Sequence, residues 1–394
     1  VNGRHIRLVF QKEFTDLLRD RKTWIGALVI PIVVIPLVFL ILGSAMSSVE
    51  KEARAYIPLA VTGLQEHPLV SQLRALPGVT LLHPADPMTA LKQAEVRAVL
   101  QFPANFDQRV KSGQQARLTV FYDPSNQKSS YAREVIEQAV KEYETMLVDE
   151  RLRSVGLTRE AIQPVATEFS SIATDEKMTG SLLSTIIPLM LILSLISGGM
   201  PAATDLVAGE KERGTLESLI SAPIASSNVL TAKLLAVMIM SGVSAIASLF
   251  SLTLIFSAMP LGEANVTFSL GFLHSDSLAV LIVMLLLLAA MFAGLELAIS
   301  TAAKSFKEAQ TYMSPIIFVG MVPAYMIMPL NPVDVPFLYY VLPIFNGIAI
   351  FKEIFYGDLV TWHALVAILS SLVYVSLAIG IASRLFRKES LIMR

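Results

Sequence analysis

The sequence predicts an α-helical polytopic membrane protein with six transmembrane helices, a re-entrant segment and an inserted extracytoplasmic α/β domain. Three observations carry that prediction. Six apolar runs are long enough to cross a bilayer core, which takes about 20 residues. The block between the first two runs instead alternates short strand-like and helix-like segments. Basic residues, finally, gather on one side of the topology that the runs define. Composition agrees: 54% of the 394 residues are hydrophobic and 16% charged, where a soluble domain carries about a quarter charged residues. The net charge of −1 says nothing about partners, and the uneven placement of charge matters more; no nucleic-acid partner is expected. The absence of cysteine excludes disulfides, thiolate metal sites and cysteine nucleophiles.

Residues 1–22 are expected to form a cytosolic, interfacial amphipathic helix. Ile6, Val9, Phe10, Phe14, Leu17 and Leu18 recur at helical spacing, while Arg4, Arg7, Lys12, Arg19 and Arg21 are polar-side or flanking. Such a helix lies apolar face down at the bilayer surface, basic groups towards anionic headgroups, or packs on protein. Residues 23–49 form the first span, uncharged from Trp24 on and kinked by Pro31 and Pro36. The run is too long for a removed signal peptide and lacks its small-residue cleavage pattern, so it is read as a signal anchor.

Residues 50–177 change character. Strands are predicted at 57–62, 79–82, 97–102 and 118–122, with helices at 68–76, 87–95 and 104–112 between them. A longer helix from 129 to about 155 carries the stripe Val135, Ile136, Ala139, Val140, Tyr143 and Leu147. This alternation predicts a separate α/β domain of ordinary size.

Four uncharged runs follow, at 178–204, 234–262, 309–333 and 359–383, and a fifth at 277–295 continues past Glu296. The apolar run 335–351 is shorter and broken by Pro336 and Pro343. If it does not cross, Arg4, Arg7, Lys12, Arg19, Arg21, Lys22, Lys211, Arg213, Lys233, Lys304, Lys307, Arg384, Arg387, Lys388 and Arg394 share one side, against Lys352 opposite. The positive-inside rule then places both termini and residues 205–233 in the cytosol of a multi-pass plasma-membrane protein. Residues 335–351 become a re-entrant segment, whose backbone must be satisfied by protein or a water-filled cavity. Residues 234–394 thus hold spans three to six, the re-entrant segment and a cytosolic tail.

The segment 205–233 opens with dense charge: Asp205, Glu210, Lys211, Glu212, Arg213 and Glu217. A short helix is predicted over 215–222, capped by Thr215 and stopped by Pro223, with Leu216, Leu219 and Ile220 on one face. It is either a solvated loop or a docking element for a cytosolic partner. The chain lacks GxxxxGK[ST], HExxH and GxSxG, and its five histidines are scattered, so catalysis by the chain itself is not expected. Residues 265–267 fit an N-glycosylation acceptor, a pattern common by chance.

Polar residues inside the membrane remain. Glu296 lies within the fourth span with Ser300 one turn on, and a carboxylate there marks an ion path, a proton relay or a hydrated interfacial group. Asn346 lies within the re-entrant run, and Lys352 and Glu353 end it, as pathway groups or as a local ion pair. Pro315, Pro323 and Pro329 predict a bent fifth span.

With this layout the chain resembles the permease subunits of type-2 ABC exporters, now grouped with the type V exporter fold. GEKERGTLESLISAPI at 209–224 follows the second span, as in that family, and AKSFKEAQTYMSP at 303–315 and LPIFNGIAIFKEIFYGD at 342–358 resemble stretches of the sodium-extruding Nat-type permeases. The resemblance implies a separate cytosolic ABC ATPase that binds ATP and Mg, with two permeases and two ATPases per transporter. It implies a coupling helix at about 210–219, so that Glu210, Glu212, Arg213, Leu216, Glu217, Leu219 and Ile220 are the expected docking residues. The interfacial helix, with Arg4, Arg7, Phe10 and Phe14, supplies the second contact, and the re-entrant segment caps the pathway from outside. For sodium cargo, hard oxygen donors are needed, and Glu296, Ser300 and Asn346 are the candidates, with Glu353 also on the pathway; Glu296 is the candidate sodium ligand. Export of a hydrophobic drug, peptide or lipid uses the same architecture. From another class, a non-transporting sensor or scaffold would use the α/β domain to bind a ligand and the spans to relay it. Ion-gradient-driven transport is disfavoured, since no inverted repeat or paired intramembrane charge is evident.

Overall fold

The computed structural model describes residues 3–162, 175–217, 223–258 and 275–392. Contacts divide the chain into two compact units, one of Val1–Phe39 with Ser171–Arg394 and one of Leu40–Ser170.

In the larger unit, α1 (Gly3–Arg19) is followed by α2 (Arg21–Val29), a π-helical stretch Ile30–Val34, and α3 (Ile35–Ala55), which continues into the smaller unit. Asp20 separates α1 from α2, its carboxylate accepting the Thr23 N–H at 3.2 Å as an N-terminal cap. The π-helical stretch begins beside Pro31, whose missing N–H breaks the regular ladder. Beyond the smaller unit come α8 (Asp175–Ala203), α9 (Ser226–Ala258), α10 (Ser275–Ala302), α11 (Phe306–Ile327), α12 (Phe345–Tyr356) and α13 (Thr361–Ile392).

The smaller unit, taken by itself, is an α/β fold in which four strands fall where the alternation predicts them: β1 (Ile57–Thr62), β2 (Val79–Leu82), β3 (Ala98–Gln101) and β4 (Thr119–Tyr122). Their order is β2-β1-β3-β4, with β1 parallel to β2 and β3, and β4 antiparallel to β3. Between them lie α4 (Pro68–Ala75), α5 (Pro87–Lys92) and α6 (Phe106–Lys111), and α7 (Gln127–Ser154) follows. The period of two assigns the faces: Leu59, Val61 and Leu100 pack with Leu73 of α4 and Ile136 of α7, whereas Ala60 and Val99 meet Ala90 and Leu91 of α5. Gly78 turns the chain into β2 with φ +79°, and a side chain there would begin 2.2 Å from the Arg54 carbonyl oxygen.

Four helical stretches among the described residues are long and apolar enough to cross a membrane: Gly180–Glu212, Ser226–Leu252, Ser275–Ala302 and Thr361–Glu389. The expected first span, 23–49, falls within the contiguous helical run of α2, the π-helical stretch and α3, of which Thr23–Val34 is an apolar part. The expected fifth corresponds to α11, where Gln310, Thr311 and Ser314 dilute the apolar character. Large side chains such as Ile246, Phe318 and Leu369 are exposed, as lipid-facing residues would be. Inside, α8 is the hub, packed against α2, α9, α10, α11 and α12, while α10 lies along α13. Small residues set these crossings, Gly320 against Ile192 and Ile196, and Gly294 against Ala378.

After a 3-10 turn at Pro332–Asp334, the predicted re-entrant run 335–351 holds a second 3-10 turn, Phe337–Tyr340, and the start of α12. At 12 residues α12 is about 18 Å long, too short to cross a bilayer core. It is buried from Asn346 to Phe355, which meets the requirement that such backbone be enclosed by protein.

Candidate functional site

The charged segment after α8 is wound into the protein. The π-helical stretch Thr204–Gly209 continues α8 and ends in the turn Glu210–Glu212, and Gly214, at φ +70°, stops the helix. The geometry gives each of four consecutive charges its own partners. Glu210 turns inward, 5% exposed, and takes the Lys233 ammonium on Oε2 at 2.6 Å and the Lys12 ammonium on Oε1 at 2.7 Å. Lys233 is fully buried on α9, and it also binds Glu13 Oε1 at 2.9 Å and donates to the Leu206 carbonyl at 2.7 Å. Two carboxylates and two ammonium groups thus close a cluster joining α1, the 205–217 segment and α9. Burial pulls Lys12 down, but Glu210, Glu13 and Asp16 outweigh it and hold the ammonium above the ordinary lysine value.

Lys211 reaches the other way, to Glu389 on α13 at 2.7 Å and to the Ala303 carbonyl at the end of α10 at 3.2 Å. Glu212 accepts the Phe306 N–H at 2.9 Å, at the start of α11. Ser305 caps that helix, accepting from Glu308 N, while the Glu308 carboxylate takes the Lys304 N–H at 2.8 Å, in the manner of a capping box. Arg213 returns to Asp205 at 2.9 Å.

These placements correct the expectation that Glu210 is a direct contact for a partner, because its carboxylate is consumed inside the protein. Glu212 and Arg213 are tied to Phe306 and Asp205. Leu216 is buried at 1% exposure, while Glu217 is exposed. Leu219 and Ile220, and most of the helix predicted over 215–222, lie outside the described residues, as do residues 265–267. On α1, Arg4 and Arg7 are exposed, and Phe10 and Phe14 are half-buried and stacked with centroids 5.5 Å apart. The buried line of α1 is Val9, Glu13 and Leu17, against α9, so the helix packs on protein along that line. Sequence reasoning passed over Glu13 and Lys233. The signal for Glu13 was present, since it stands four residues from both Val9 and Leu17 on the apolar stripe.

The intramembrane candidates separate into three places. Glu296 is fully buried on α10, and neither carboxylate oxygen has a hydrogen-bond partner among the described residues. Ser300 accepts the Ala208 N–H at 3.1 Å, pinning α10 to the π-helical stretch of the α8 continuation. Asn346 is elsewhere: its amide donates to Ser370 Oγ at 2.9 Å and Ser371 Oγ at 2.8 Å, and its oxygen accepts the Gly347 N–H at 2.7 Å. It joins α12 to α13 through its amide donors, away from Ser300 and its bond to the α8 continuation. Glu353 binds Tyr340 Oη and His363 Nδ1, each at 2.6 Å, and accepts the Val360 N–H at 3.0 Å. Lys352 donates to the Met328 carbonyl at 3.0 Å, so a Lys352–Glu353 pair does not form. The proposed donor set Glu296, Ser300 and Asn346 is therefore not one site. The described residues hold no cluster of three or more histidines and carboxylates suited to a metal.

Comparison with known proteins supplies the remaining finding. Residues 21–383 match the ABC-2 family transporter proteins. The chain is 30% identical, over 354 residues covering 89% of each chain, to the ABC transporter permease protein NatB of Bacillus subtilis (strain 168).

Proposed function

Because the chain belongs to the ABC-2 family of transporter proteins, we propose that it is the permease subunit of an ATP-driven exporter that extrudes sodium. A separate cytosolic ABC ATPase binds ATP and Mg and docks on the 205–217 segment and α1. The chain crosses the plasma membrane six times with both termini in the cytosol, carries its α/β domain outside, and pairs with a second copy of itself. The asymmetry of basic residues supports this orientation, and the short, enclosed α12 supports a re-entrant cap. The observation that carries the coupling is the ionic cluster of Glu13, Lys12, Lys233 and Glu210. It makes the segment after α8, α1 and α9 move together, so that a partner's displacement reaches the membrane. Sodium is supported by the Nat-type resemblance of residues 303–315 and 342–358 and by the unpaired buried carboxylate of Glu296.

The test is reconstitution of this chain with its ATPase in sealed vesicles, following sodium movement and ATP hydrolysis. Sodium, potassium and hydrophobic compounds are each supplied as cargo. Sodium-stimulated hydrolysis with sodium movement is the expected outcome. Stimulation by hydrophobic compounds alone would remove sodium and keep the exporter; no stimulation by any cargo would favour a sensor or scaffold.

A further inference from the structure

Every buried side-chain oxygen without a partner among the described residues belongs to three neighbouring helices: Ser194 and Ser197 on α8, Ser241 and Ser248 on α9, and Glu296 on α10. Two of these groups converge. A side chain built on Gly199 would begin 2.3 Å from Glu296 Oε2 and 2.5 Å from Ser241 Oγ. The carboxylate and the hydroxyl therefore both pack against the bare Cα of Gly199, and a larger residue there would strike them. They are close enough for one small ion to touch both, yet they do not hydrogen-bond to each other.

An ionised carboxylate without a partner in such a place carries a heavy desolvation cost, so Glu296 is accompanied by a proton or by a cation. Among the described residues no charged side chain supplies that company. Of the charged groups on the packed helices, Lys233 is committed to Glu13 and Glu210, and Lys352 to the Met328 carbonyl. Glu353 is committed to Tyr340 and His363, Glu308 to Tyr312, and Asp205 to Arg213. Arg384, Arg387 and Lys388 lie on the exposed side of α13.

We infer that Glu296 and Ser241, brought together against Gly199, form a binding site for one small monovalent cation, with sodium its fitting occupant, and that a proton competes for the same carboxylate. One carboxylate balances one positive charge. A divalent ion would leave a net charge buried and would require more oxygen ligands. Binding exchanges partners at one oxygen: Glu296–COOH and Na⁺ give Glu296–COO⁻·Na⁺ and a released H⁺. Ser241 contributes a neutral hydroxyl oxygen and loses no proton. This ligand set replaces the combination of Glu296 with Ser300 and Asn346, and it rests on the sodium-export reading for its role as a cargo site.

The test is equilibrium binding of radioactive sodium to the purified full-length chain in detergent, without ATP, from pH 6 to pH 9. The apparent Kd should rise about tenfold per unit fall in pH wherever the proton holds the site. Glu296→Gln should abolish specific binding and its pH dependence, and Ser241→Ala should weaken binding about tenfold. Gly199→Ala should remove it, because the methyl carbon takes the space beside both oxygens. Should Glu296→Gln fail to fold, Ser241→Ala and Gly199→Ala decide the matter against the wild type. Unchanged sodium affinity in the folded variants, absence of pH dependence, or no specific binding by the wild type would each overturn the inference. The two readings fail separately: sodium moved in vesicles by a chain whose Glu296→Gln variant still binds it removes this site and keeps the exporter, and pH-dependent binding lost in Glu296→Gln without vesicle transport does the reverse.

Discussion

Replacement of Lys233 by methionine isolates the cluster that ties α1 to the segment after α8. The ammonium is fully buried and holds Glu13 Oε1 at 2.9 Å, Glu210 Oε2 at 2.6 Å and the Leu206 carbonyl at 2.7 Å. Methionine keeps most of the volume and removes the charge. Lys12 remains, bonded to Glu210 at 2.7 Å and to Glu13 at 3.4 Å, but it is one cation for two carboxylates. One negative charge is left uncompensated where water does not reach. Breaking a buried pair in this way costs about 3–5 kcal/mol. The assay is thermal unfolding of the detergent-solubilised chain, followed by tryptophan fluorescence, for Lys233→Met, Glu13→Gln and the double variant. Lys233→Met should be strongly destabilised, and adding Glu13→Gln should recover part of the loss, because it removes the surplus charge. A cost for Lys233→Met below about 1 kcal/mol, the range of exposed pairs, would refute the reasoning: the cluster would then be hydrated and unable to hold α1 to α9.

Other consequences can be checked in the same preparations. Glu217 is exposed beside the buried Leu216, so Glu217→Lys should reduce cargo moved per ATP hydrolysed while leaving the unfolding temperature unchanged; a fall in both would make its role structural. Asn346→Leu removes the donations to Ser370 Oγ, Ser371 Oγ and the Ala367 carbonyl that fasten α12 to α13 and should cost about 1–3 kcal/mol in the same unfolding assay. In the smaller unit, His67 Nδ1 accepts the Leu69 N–H at 3.2 Å, which caps α4 and requires a neutral ring. Burial lowers the His67 pKa, partly opposed by Asp107. The stabilisation is therefore complete above the unfolded histidine value of about 6.5 and is lost as pH falls from there through the lower folded value. Hydrogen exchange in α4 should accelerate over that interval in the wild type, and His67→Asn, which keeps a capping oxygen, should flatten the response.

The α/β unit was legible because its punctuation is local. Pro68 and Pro87 open helices, Gly78 makes the turn into β2, and short apolar runs lie between, so the strand positions follow from sequence spacing. The ionic cluster was not legible, because its partners are 198 and 220 residues apart along the chain. Lys233 reads as a charge flanking a span that begins at Leu234, yet α9 begins at Ser226, and the polar Ser226, Asn228 and Thr231 of its first turns hid that start. Ser241 and Gly199 were silent for a related reason. A serine or a glycine in an apolar run declares nothing until a neighbouring helix brings a carboxylate to it. Asn346 stood out by its polarity, but its partners across the α12–α13 contact are what make it a fastening between helices.

The reach of Glu210, Lys211 and Glu212 has a mechanical consequence. Within three residues the backbone grips α1 and α9 through Glu210, α10 and α13 through Lys211, and α11 through Glu212. A collar of this kind transmits torque and forbids the inner ends of those helices from sliding past one another singly. Bending during a transport cycle then has to fall beyond the collar, where Pro188 and Pro201 interrupt α8 and Pro315 and Pro323 interrupt α11. The gripped end of this bundle is stiff, and the proline-interrupted part is compliant.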